Sequence, residues 1–118
     1  MRAYLLDSTL PGLMNVFAHG RVDQRQIDDL RRLVENDAVA DRGRRVLRIA
    51  VLHHPVRWPW SVTMILERAA HLLSELDSMG FGMVLCGHVH TCDVRPLNSS
   101  NTMWQLVSGS ATQTTLDR

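Results

Sequence analysis

The sequence is short of several features that would have placed it quickly. No apolar run reaches the length needed to cross a bilayer, no signal-peptide pattern opens the chain, and there is no internal repeat or low-complexity tract. Net charge is almost nil: 13 Lys and Arg against 12 Asp and Glu give a formal +1. Bulk electrostatics therefore favours neither nucleic acid nor an anionic membrane as a partner. Arginines cluster only at Arg42-Gly43-Arg44-Arg45, which reads as solvated loop before a strand. Cysteine is scarce, with Cys86 and Cys92 alone. Two do not make a disulfide framework; buried reduced thiols and a cytoplasmic setting are expected.

What is present suits one ordinary globular domain: 118 residues, 45% hydrophobic and 21% charged. Ala3-Tyr4-Leu5-Leu6 reads as a strand buried on both faces, ended by Asp7-Ser8-Thr9 and Pro11-Gly12. Asp23 followed by Gln26 resembles a capping box, and Ile27, Leu30, Leu33 and Val34 recur at helical spacing, so a helix is predicted from about Asp23 to Glu35. A β-branched apolar run over Arg45 to His53 predicts a second strand, closed by Pro55. A second helix is predicted from about Val62 to Met79, capped by Ser61 or Thr63 and stopped by Gly80. Its buried stripe runs Ile65, Leu66, Ala69, Leu72, Leu73 and Leu76, with His71 on the polar face one turn from Glu67. Met83 to Cys86 forms a third strand. Asn98-Ser99-Ser100-Asn101 joins Thr91–Leu97 to Thr102–Val107 as a hairpin. Strands separated by helices favour parallel neighbours, and ligands gather beyond their carboxyl ends.

Two strands end in histidine: His53-His54-Pro55, and Gly87-His88-Val89-His90. The helix between them should bring those ends together. Neutral imidazole is a common ligand for first-row metals, so His53, His88 and His90 are the candidate metal ligands. Gly87 lets the backbone approach a ligand closely. His54 reads as orienting its neighbours from behind the ligands. His19 reads as a loop residue. Trp58 and Trp60 leave the strand beside His53 and either wall a substrate pocket or only pack their loop.

The run Val51-Leu52-His53-His54-Pro55, then Gly87-His88-Val89-His90, then Ser108-Gly109-Ser110-Ala111, resembles the carboxyl-terminal half of the calcineurin-like metallophosphoesterases, including their cyclic nucleotide phosphodiesterase branch. Leu6-Asp7-Ser8, Gly20 and the helix of Gln26 are similar to the stretch that precedes the His-His-Pro strand in that family. The likeness implies part of a four-layer α/β/β/α sandwich with mixed sheets. It also implies a centre of two divalent ions (Mn, Fe or Zn), with His53 and His88 on one and His90 on the other, and a metal-activated water attacking phosphorus in a small phosphoester. The family's D-x-H, G-D-x-x-D and G-N-H motifs, the last with the catalytic histidine, do not occur here. Residues 1–118 are thus expected to be a single partial domain without its amino-terminal half, inactive alone, with that half as its partner. Two other readings stay open: a non-catalytic association module, and a mononuclear three-histidine zinc site.

Overall fold

The computed structural model describes residues 1–9, 20–57, 66–87, 89 and 91–109. They form a mixed α/β domain with strands β1 (Arg2–Leu5), β2 (Arg48–Val51), β3 (Met83–Cys86), β4 (Asp93–Pro96) and β5 (Trp104–Val107). Helix α1 (Gln24–Asp41) lies between β1 and β2 in sequence, and α2 (Ala69–Ser78) between β2 and β3. The strands form one sheet in the order β1-β2-β3-β5-β4, parallel except for the antiparallel β4–β5 pair. The expected alternation of strands and helices, the parallel pairing and the terminal hairpin are all present. Pro96 sits on edge strand β4, where a missing N–H does least harm to a ladder.

Register divides the sheet into two unlike faces. Tyr4, Ala50, Val84 and Gln105 lie opposite one another in successive strands and are all buried. Tyr4, Ala50 and Val84 meet Ile27, Leu30 and Val34 of α1 and Leu72 and Leu76 of α2 in the main core. The helices are tied to each other by Arg31 Nη2 donating to Glu75 Oε2 at 2.5 Å, and by His71 Nε2 against Gln24 Oε1 at 2.8 Å. On the opposite face Leu5, Val51, Leu85, Leu106 and Val94 form an apolar row across all five strands. Leu5 is 81% and Val94 64% exposed. Among the described residues both helices serve the first face, giving a helix layer and a sheet layer.

That asymmetry corrects the reading of the first strand. Its burial alternates, with Tyr4 inside and Ala3 and Leu5 outside, because among the described residues the helices cover only the Tyr4 face at this strand. Helix α1 runs six residues past the predicted end, since nothing in Asn36–Ala40 breaks it. It closes at Arg42, whose φ of 51° is left-handed, followed by Gly43 at 75°. Leu33, one of the apolar residues at helical spacing, is 53% exposed. Helix α2 begins at Ala69, after Arg68 in the left-handed region, and not near Val62. Leu66 precedes it in a bridge to Gly20, and Ser61, Thr63 and Ile65 lie outside the described residues. Glu67 is therefore not a helical partner of His71, which reaches across to α1 instead. The capping box is half formed: Asp23 Oδ1 accepts from Gln26 N at 3.0 Å. The Gln26 amide turns away to Asp7, accepting its N–H and donating to its carbonyl, both at 2.9 Å, and so braces the end of β1. No helix among the described residues is long and apolar enough to cross a membrane.

Candidate metal centre

Beyond the carboxyl ends of the parallel strands lies a groove of about 400 Å³, lined by Leu5, Leu6, Val51, Leu52, His53, Leu85, Cys86, Gly87 and Ser108. Adjacent parallel strands bring β2 and β3 to the same edge, and a main-chain hydrogen bond joins them: Gly87 N donates to His53 O at 3.0 Å. The expected meeting of the two histidine-bearing strand ends is thus observed up to Gly87. His88 and His90 lie outside the described residues, as do His19, Trp58, Trp60 and Ser110.

His53 is exposed at the groove, whereas the adjacent His54 is 5% exposed and points into the structure. The two rings meet edge to face, 4.9 Å between centroids. Behind them sits Ser8, fully buried. Its Oγ accepts from His53 N and His54 N, each at 3.1 Å, and lies 2.9 Å from His54 Nδ1. Gly20 closes over this group. A β-carbon there would sit 2.1 Å from His54 Nδ1 and 2.3 Å from Ser8 O, so only glycine fits. The same segment is stitched in place by Arg21 N to Ser8 O at 2.9 Å and Glu67 N to Gly20 O at 2.8 Å. The chain after His54 is held from β5. Buried Gln105 reaches past β3 to accept Val56 N at 2.8 Å and Arg57 N at 3.2 Å, and donates to Arg57 O at 2.7 Å.

The donor set can be tested against a metal. The exposed, backbone-anchored imidazole of His53 suits a ligand. The carboxylates and thiols nearby are otherwise engaged. Asp7 Oδ1 accepts from Thr9 N and Thr9 Oγ1, which holds its carboxyl below the usual range. The hydrogen bond from Arg95 Nε at 2.5 Å does the same to Asp93. Burial, and then the charge of Asp93, pushes the Cys86 thiol up to about 12, so it is not a thiolate at neutral pH. Both cysteines are free, but Cys92 is exposed, against the expectation that both are buried. Among the described residues no three His, Cys, Asp or Glu side chains come together as a metal-holding group. Gln105 was not singled out in the sequence, where it gave only a polar break in an apolar strand. Ser8 stood there in a turn signal and in the Leu6-Asp7-Ser8 stretch of the family likeness, with no role of its own.

Comparison with protein-family models gave no match, and comparison with curated proteins gave none either.

Proposed function

We propose that this chain is the distal half of a calcineurin-like metallophosphoesterase, a metal-dependent phosphoester hydrolase. His53, with His88 and His90, would hold the divalent ions there, and carboxylates from the preceding half of the domain would complete the centre. The observation that carries this reading is the junction of the two histidine-bearing strand ends, Gly87 N to His53 O at 3.0 Å, on the rim of one groove. When bound, the metals lower the pKa of a coordinated water and neutralise phosphoryl charge. The chain's own part is to fix His53 by its backbone, present it to the groove and supply an apolar floor from Leu52 and Leu85.

The apolar row from Leu5 to Val94 supports the rest of the four-layer arrangement, because a sheet face of that composition suits packing against a second sheet. The same face favours the second reading, an association module that keeps the sheet without the chemistry. Titration with Mn²⁺ and Zn²⁺ of this chain and of His53→Ala tests the site: weak binding lost in the variant is expected, and binding that ignores His53 refutes the assignment. Tight, stoichiometric zinc would favour the mononuclear site. The chain alone should hydrolyse bis(p-nitrophenyl) phosphate with Mn²⁺ no faster than buffer. Joined to a segment carrying D-x-H, G-D-x-x-D and G-N-H encoded directly upstream, it should turn over. An unrelated gene at that position would favour the association module.

A further inference from the structure

We propose that Ser8 is the positioning residue of the histidine turn: its hydroxyl fixes the main chain at His53 and sets the ring of His54 as the tautomer protonated on Nε2. Its relevance to a metal rests on the phosphoesterase reading, but the device itself does not.

A serine hydroxyl has one hydrogen and two lone pairs. Ser8 Oγ accepts two successive main-chain donors, His53 N and His54 N, at 3.1 Å each. Both lone pairs are then occupied, so the 2.9 Å contact with His54 Nδ1 is made by the hydroxyl hydrogen. Nδ1 is the acceptor, and the neutral ring carries its proton on Nε2.

The placement explains why a side chain does this work. The ladder between β1 and β2 runs as far as Leu6 N to Val51 O, 2.8 Å. One step further, where a parallel ladder would offer a main-chain carbonyl, His53 N meets the Ser8 hydroxyl instead. The carbonyl of the same residue is held from the other side by Gly87 N. His53 is thus gripped from the segments that follow β1 and β3, which fixes where its imidazole leaves the backbone. Gly20 packs directly against both Ser8 and His54, so closely that a β-carbon there would overlap His54 Nδ1 and Ser8 O.

The test uses the metal-free full chain labelled with ¹⁵N. Long-range ¹⁵N–¹H spectra should show His54 with a bare Nδ1 and a protonated Nε2, and a proton on Nδ1 would overturn the proposal. Ser8→Ala should erase that signature and speed amide exchange at His53 and His54 roughly tenfold or more. An unchanged ring and unchanged exchange would also overturn it. If Ser8→Ala does not fold, two ring variants decide. His54→Asn keeps an acceptor near the Nδ1 position and should keep the His53 amide protected, whereas His54→Phe keeps the bulk but should lose the protection. Equal protection in both would refute the role. On the metal side, Zn²⁺ affinity should fall about 10–100-fold in Ser8→Ala. Failure of the wild-type chain to bind any metal would count against the phosphoesterase reading and leave the ring and exchange results to judge Ser8.

Discussion

Replacing Gln105 with leucine tests how the chain after the histidines is held. The two side chains are close in volume, so Gln105→Leu opens little cavity and isolates the polar contribution. In the native chain the amide satisfies Val56 N, Arg57 N and Arg57 O from a position with no solvent exposure. Val56 is itself 5% exposed, so its N–H would be left buried without an acceptor, at a cost of about 1–3 kcal/mol. Arg57 is exposed and its main-chain groups can turn to water, so the loss there is about 0.5–1.5 kcal/mol in total. The expected destabilisation is therefore about 1.5–4.5 kcal/mol, a large share of a domain's ordinary 5–15 kcal/mol. Urea unfolding followed by circular dichroism measures it as a lower midpoint at unchanged slope. A leucine variant as stable as the native chain, or more so, would refute the reasoning, because it would show that the segment finds its hydrogen bonds without Gln105.

Other perturbations follow from the same structure. Burial, aided by the hydrogen bond to Asp37, pushes the Tyr4 phenol up to about 12 from an ordinary 10.0. Its folded-state value is raised, so the stabilisation is complete below pH 10 and is lost as pH climbs toward about 12; Tyr4→Phe should flatten stability across that window in alkaline unfolding curves. Asp41, held below the usual carboxylate range by its bidentate contact with Arg2, works in the opposite direction. Its contribution is present above pH 3.8 and lost as pH falls further, and Arg2→Gln should remove that acid dependence. A thiol reagent at neutral pH should label exposed Cys92 at once and buried Cys86 only on unfolding, and simultaneous labelling would contradict the burial of β3.

The order of elements and the extent of β3 were legible in the sequence because apolar periodicity and turn residues agreed there. The errors arose where tertiary context overrode a local signal. Leu5 is as apolar as Leu6 and looks equally buried, but burial depends on whether a second layer covers the outer face. The second helix was expected to start seven residues earlier because Leu66 continues its apolar stripe, yet Leu66 N donates to Pro55 O, and Glu67 N to Gly20 O, and a turn through Arg68 precedes the helix. At the site, the histidines and Gly87 stood out by residue type. Ser8 did not, because its role depends on two amides 45 and 46 residues away, and no local pattern encodes that.

The outer sheet face bears directly on the proposed site. The row Leu5, Val51, Leu85, Leu106 and Val94 crosses all five strands in register, and the next row on that face, Ala3, Ile49, Met83, Trp104 and Pro96, is also apolar throughout. Leu5 and Leu85 line the groove as well, so the face and the candidate metal centre share an edge. A layer packed on the face would therefore reach the rim of the groove, where the carboxylates proposed to complete the centre are needed. Without it, exposed leucine and valine favour association between chains. Leu5→Lys with Val94→Thr changes only exposed positions, so the fold should persist while the sedimentation coefficient at high concentration shifts toward the monomer. The same pair should weaken recombination with a supplied amino-terminal half. If self-association fell while recombination was untouched, the second half would have to dock elsewhere, and the sheet face could not be what joins the two parts of the centre.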